Sequence, residues 1–174
     1  MKNLLQPISN KLYGKVAIVT GGASGIGEVT ARHFINHGAR AVVIADVQDE
    51  KGQHVAASLG SQRCPYIHCD ITDENHVKSL VESTVSMYGQ LDIMFSNAGI
   101  ATPGDQTIID MDMSGSDKLF AINARGVAAL SDFEARSAWA REVGEFTAGC
   151  RRDPLEQRVA GDGGDAVVVR VAGS

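Results

Sequence analysis

Val16-Ala17-Ile18-Val19-Thr20-Gly21-Gly22-Ala23-Ser24-Gly25-Ile26-Gly27 decides how this chain folds. An uninterrupted run of uncharged, mostly branched residues that ends in glycine is the pattern of a strand buried on both faces, as in a parallel sheet. A helical stretch follows from Ser24 to His37, with Gly38 as its stop. Glycines between such a strand and such a helix let the chain turn tightly and let a phosphate approach the backbone without a Cβ in the way. The helix start adds free N–H groups and a partial positive charge of about half an elementary unit. A plain glycine-rich turn is the other reading. The strand–turn–helix placement favours a dinucleotide with its pyrophosphate over the turn.

The same alternation continues outward. Ala41 to Ala45 reads as a second buried strand ending at Asp46, followed by a helix from Asp49 to Leu59 that Gly60 stops. Cys64 to Cys69 reads as a third strand. Thr72 is placed to cap the next helix, with Asp73 and Glu74 at its positive end. In that helix Val77, Leu80, Val81, Thr84 and Val85 recur at helical spacing, and Gly89 ends it. Leu91 to Phe95 reads as a fourth strand, and a further helix starts near Ser114 and passes through Leu119, Ile122 and Asn123. Four strand–helix repeats predict an α/β fold: a Rossmann-like, doubly wound parallel sheet.

Candidate site residues sit at the strand ends. Asp46 lies 19 residues after Gly27, where a carboxylate accepts hydrogen bonds from ribose hydroxyls and repels a 2′-phosphate. No arginine follows Gly22 or Asp46 to neutralise an extra phosphate, so the expected cofactor is NAD rather than NADP. The alternative is that Asp46 caps the next helix. Asp70 ends the third strand and could accept from an adenine amino group, or it could be a solvated capping residue. Ser96-Asn97-Ala98-Gly99 follows the fourth strand; its small residues allow close backbone approach, and the Asn amide can tie the strand end to its neighbours.

Composition excludes several classes. The 174 residues are 44% hydrophobic with a net charge of −5, which allows one globular core and gives nucleic acid or anionic membrane no basic surface. Cys64, Cys69 and Cys150 form no CxxC pair, so neither a disulfide framework nor a zinc site is expected, and a reducing compartment fits. His33 and His37 stand one helical turn apart without a third ligand, as on a solvated helix face. No apolar run reaches membrane-spanning length, and Met1 to Leu12 lacks a signal or transit pattern. The expected location is cytoplasmic.

Composition changes after Asn123. Residues 124–174 contain no Lys, Asn, Ile or Tyr, whereas the first 123 residues hold 6, 6, 12 and 3 of them. These four residue types share AT-rich codons, and Arg, Ala and Gly, which replace them, are GC-rich. A change of reading frame or a retained non-coding segment produces this pattern; an ordinary variable region is the alternative. The expected division is a dinucleotide-binding domain over 1–127 and an atypical tail over 128–174, disordered or partly helical. The sheet is expected to be incomplete after the fourth strand, leaving an open edge and a marginal, aggregation-prone protein.

In combination, the Thr20–Gly27 turn, Asp46, Asp70, Asn97-Ala98-Gly99 and Asn123 with Gly126 resemble the short-chain dehydrogenases/reductases over roughly Leu12 to Val127. The wording around them is most similar to plant NAD-dependent members of the secoisolariciresinol dehydrogenase-like and xanthoxin dehydrogenase-like group. That resemblance implies oxidation of a secondary alcohol of the terpenoid or lignan type. It implies a cofactor-binding set of Gly21, Ser24, Gly25, Ile26, Gly27, Asp46, Val47, Asp70, Ile71, Asn97, Ala98 and Gly99. The family's catalytic set is a Tyr base, a Lys four residues later that lowers its pKa, a Ser and an Asn. Only the Asn maps here, as Asn123. Tyr13, Tyr66 and Tyr88 all precede it, none has Lys at the fourth position after it, and no lysine follows Lys118. An unassisted tyrosine, with a pKa of about 10, is a poor base near neutrality. Gly164 to Val169 is faintly similar to the Ser-bearing strand, but Arg170 follows it. The readings left open are a working dehydrogenase with another base, a catalytically dead NAD-binding or interaction module, and a truncated product. The family's homo-oligomer interface is expected to be missing.

Overall fold

The computed structural model describes residues 10–101, 113–133, 135 and, as backbone, 167–170. β1 (Val16–Thr20) is buried throughout. It leads through the glycine turn into α1 (Gly25–Asn36), then β2 (Ala41–Asp46), also fully buried, and α2 (Asp49–Leu59). β3 (Tyr66–His68), α3 (Glu74–Tyr88) and β4 (Ile93–Ser96) follow. α4 (Met113–Phe120) widens into a π-helical stretch, Ala121–Gly126, and is helical again over 127–133. β5 (Val167–Arg170) comes last.

All strand pairings are parallel, in the order β3-β2-β1-β4-β5. The chain therefore builds outward from β1 on one side, through β2 to β3, and then reverses to place β4 on the other side. The expected sheet is there, and one further strand, drawn from the compositionally divergent stretch, continues it beyond β4.

Alternation along the strands explains why both faces need helices. Ile18, Val43 and Met94 point to one face, where Val77, Leu80 and Val81 of α3 and Leu130 cover them. Ala17, Val19, Val42, Ile44, Ile93 and Phe95 point to the other, against Ala31 of α1 and Val55 of α2. Each Val or Leu buried this way stabilises the fold by about 1.5–3 kcal/mol relative to exposure. The helix after the π-helical stretch continues past 127, the expected end of the dinucleotide-binding domain, and Leu130 and Phe133 pack into the core. The rest of 134–174, apart from residue 135 and β5, lies outside the described residues.

Local expectations are corrected in three places. Asp73, not Thr72, caps α3: its carboxylate accepts from the Asn75 amide at 2.8 Å. Thr72 is taken by Asp70 Oδ1, to which its hydroxyl donates at 2.8 Å. The third strand is shorter than Cys64 to Cys69, although Arg63 and Pro65 carbonyls still accept from Val42 and Ile44 amides beside it. The fourth strand starts at Ile93 rather than Leu91, because Asp92 turns its side chain onto the start of β1 and accepts from the Val16 amide at 2.8 Å. Gly60 and Gly89 are the C-caps of α2 and α3 as expected, whereas α1 ends at Asn36 with His37, not Gly38, as its C-cap.

Two substitutions test this packing by equilibrium denaturation. Leu130→Ala is expected to cost about 2–5 kcal/mol, as for a core leucine; no change would place the helix over 127–133 outside the core. A Cβ on Gly27 would overlap the Gly21 carbonyl, so Gly27→Ala is expected to cost about 1–3 kcal/mol by overpacking.

Candidate functional site

The C-terminal ends of β1, β2 and β4 meet at one edge of the sheet, and a cleft of about 360 Å³ opens there. Three sets of bonds shape it. Thr20, the last residue of β1, receives the Asn97 and Ala98 amides on its hydroxyl at 3.0 and 3.1 Å. Asn97 Nδ2 returns a bond to the Thr20 carbonyl at 3.0 Å. At the end of β2, buried Asp46 accepts from the Ala23 amide at 3.0 Å with Oδ2 and from the Gln48 amide at 3.0 Å with Oδ1. The glycine turn is thus held from both sides.

Gly21 has φ +65, and a Cβ there would come within 2.9 Å of the Ala98 Cα and of Asn97 Nδ2. Only glycine satisfies both the left-handed backbone and that approach. Ser24 is the N-cap of α1, but its hydroxyl makes no capping bond. The first-turn N–H groups of a twelve-residue helix, with their partial positive charge, therefore remain beside the cleft.

Of the residues expected at a cofactor site, Gly21, Ser24, Gly25, Ile26, Asp46, Val47, Asp70, Ile71, Asn97, Ala98 and Gly99 all line this cleft. Gly27 does not; it sits behind the wall, against the Gly21 carbonyl. Asn123 also stands behind the wall. Its Oδ1 accepts from the Ile100 amide at 2.9 Å and its Nδ2 donates to the Ile100 carbonyl at 2.7 Å. Asn123 lies in the π-helical stretch of the α4 helix, a geometry common at functional positions.

Gln48, Cys69, Ile100 and Ile122 complete the lining and were not expected from the sequence. Each is adjacent in sequence to a residue that was, or to Asp46-Val47, so adjacency was the available signal. Hydrogen bonds from the Thr72 amide and hydroxyl hold the Asp70 carboxyl below the usual carboxylate range. Burial pushes the Cys69 thiol up to about 12, which makes it an inert wall rather than a nucleophile.

None of the three tyrosines lines the cleft. Tyr13 is exposed. Tyr88 donates to the Gln62 carbonyl, and Tyr66 bonds the Asp46 carbonyl and Asp49; burial raises the pKa of both. His33 and His37 are one turn apart on α1, with His37 Nδ1 2.8 Å from the His33 carbonyl. Among the described residues no group of three His, Cys, Asp or Glu side chains could hold a metal ion, and no helix is long and apolar enough to cross a membrane.

The sequence matches the family model for short chain dehydrogenase over residues 15–145. It is 60% identical over 126 residues to a (−)-isopiperitenol/(−)-carveol dehydrogenase, mitochondrial, from Mentha piperita, covering 72% of this chain and 48% of that protein. It is 51% identical over 157 residues to a (+)-cis,trans-nepetalactol synthase from Nepeta racemosa, covering 90% and 57%. To secoisolariciresinol dehydrogenase from Forsythia intermedia it is 53% identical over 124 residues, covering 71% and 44%. The chain spans about half the length of these relatives. A match over most of the chain, on the strand, turn and helix that shape the cleft, means that this chain belongs to the short chain dehydrogenase family.

Proposed function

We propose that this chain binds a nicotinamide dinucleotide in the cleft, NAD in preference to NADP, and that the dehydrogenase activity of the parent type is lost or impaired in it. The observation that carries the reading is the convergence of the glycine turn, Asp46, Asp70 and Asn97-Ala98-Gly99 on one concavity at the reversal point of the sheet. In open α/β sheets that is where ligands bind.

The residues fit such a ligand. Gly25, with nothing within 4 Å of a Cβ position, leaves room for phosphate at the N-terminus of α1. A carboxylate has about four acceptor sites. Among the described residues Asp46 uses Oδ1 for the Gln48 amide and side chain and Oδ2 for Ala23, so Oδ2 retains capacity for a ribose hydroxyl. A negative charge there opposes a 2′-phosphate. Val47 and Ile71 provide apolar flanks, and Asp70 an acceptor, for the adenine end.

When bound, the nicotinamide supplies a hydride acceptor for a secondary alcohol of the terpenoid or lignan type. The chain's own contribution to that chemistry is thin. Asn123, the one member of the catalytic set that maps here, has its amide engaged by the Ile100 backbone. No Tyr-x-x-x-Lys occurs in these 174 residues, and loss of a general base costs about 100- to 10,000-fold. This favours a binding module over a working enzyme. A cytoplasmic location belongs to the same proposal; the Mentha relative is named as mitochondrial, and fractionation of the tagged protein decides between the two.

Calorimetry with the full chain is expected to show NAD binding with NADP at least about tenfold weaker, the scale of one charge-assisted bond. A panel of secondary alcohols is expected to give turnover at least about 100-fold below that of a full-length relative. Absence of NAD binding sinks the proposal; full turnover sinks its catalytic half.

A further inference from the structure

Edge strand β3 carries a side-chain cluster that the dinucleotide reading leaves unused. The Tyr66 hydroxyl has one proton and two acceptors: the Asp46 carbonyl at 2.6 Å and Asp49 Oδ1, in the first turn of α2, at 2.7 Å. His68 Nδ1 stands 2.7 Å from the same Asp49 oxygen. At that distance Nδ1 must carry a hydrogen, because a bare lone pair would otherwise face a carboxylate oxygen. His68 is therefore the Nδ1–H tautomer or the imidazolium. The Tyr66 ring is packed onto Gly52 so tightly that a Cβ there would overlap it, which fixes where the hydroxyl points. Between these anchors lies the turn Asp46-Val47-Gln48, one wall of the cleft.

We propose that Tyr66 and His68 are positioning residues for this wall. By satisfying Asp49, His68 releases the Tyr66 proton to the Asp46 carbonyl, and dinucleotide affinity rises as His68 takes up a second proton. The inference rests on the binding reading above and names a pH dependence for that site.

The groups around His68 set the sign. Asp49 faces it from α2, and Asp46 is its register partner on β2. Tyr66 and Cys69 flank it on its own segment. From α3, His76 stacks edge-on with ring centroids 5.7 Å apart, with Asp73 3.9 Å behind that ring. His76 Nδ1 accepts from the Asp70 amide at 3.3 Å, so Asp70 borders the cluster too. Carboxylates outnumber the second imidazole. Tyr66 and then His68, both within hydrogen-bond reach, hold the Asp49 carboxyl below the usual carboxylate range, so it presents an ionised oxygen between them. A second proton on His68 makes its bond to Asp49 charge-assisted and therefore stronger; losing that proton weakens it.

The test is calorimetric titration of the full chain with NAD, and separately with ADP-ribose, at about pH 6 and pH 8. Both ligands are expected to bind about two- to tenfold more tightly at the lower pH. His68→Ala is expected to weaken binding and flatten the pH profile. His68→Asn, whose amide can stand at the Nδ1 position, is expected to regain affinity without regaining the pH dependence. Tyr66→Phe is expected to weaken binding, and His76→Gln to keep the profile. An unchanged profile in both His68 variants, or its loss only in His76→Gln, overturns the proposal. If His68→Ala fails to fold, His68→Asn decides alone. Wild-type binding without pH dependence overturns this inference while leaving the binding reading intact; no wild-type binding overturns both.

Discussion

Everything at the site depends on the clamp that closes the ends of three parallel strands around one glycine turn. Parallel strands bring their C-terminal ends to the same edge, and the backbone groups beyond the last sheet bond have no ladder partner. Here Thr20 takes the Asn97 and Ala98 amides, Asn97 returns a bond to Thr20, and Asp46 takes the Ala23 amide. These bonds satisfy the loose ends and, in doing so, tie the mouths of β1, β2 and β4 to the glycine turn. The cleft is the space left over. Since the order in which strands are added reverses between β1 and β4, no crossover helix among the described residues fills that space.

Such a clamp makes architecture and recognition inseparable. From the sequence Asp46 reads as a ribose acceptor or as a helix cap. In the structure it braces the turn through Ala23 and reaches Gln48, the N-cap residue of α2, while still lining the cleft. Asn97 likewise is a wall residue and a strand tie. A carboxylate or an amide with several lone pairs or protons can serve both ends at once; Asp46 does so as a brace and a wall residue, while the N-cap of α2 is Gln48.

The legible parts of the sequence were those governed by short-range periodicity. β1 and β2 announced themselves because both their faces are buried and their runs are unbroken. Glycines placed the turns, and strand ends placed nearly all of the cleft lining. What escaped was decided by which side chains meet, near or far in sequence. Thr72 looked like the better cap until Asp70 claimed its hydroxyl. The Tyr66–Asp49–His68 cluster joins two elements across 17 to 19 positions and has no periodic signature. Gln48 gave no signal beyond its place beside Val47.

The compositional break after Asn123 and the limit of the fold are different boundaries. The family match continues to residue 145, and the helix holding Asn123 continues over 127–133. A core helix asks only for small or apolar residues at intervals of three and four. Gly126, Leu130 and Phe133 meet that demand: a Cβ on Gly126 would come within 2.8 Å of Ile71, and Leu130 is fully buried. Gly126 thereby docks this helix against Ile71, a residue of the cleft wall. A segment of altered composition can therefore still brace the wall of the cleft, because packing reads size and spacing. Hydride-transfer chemistry makes a stricter demand, for a particular hydroxyl and a particular ammonium in register, and size and spacing alone cannot meet it.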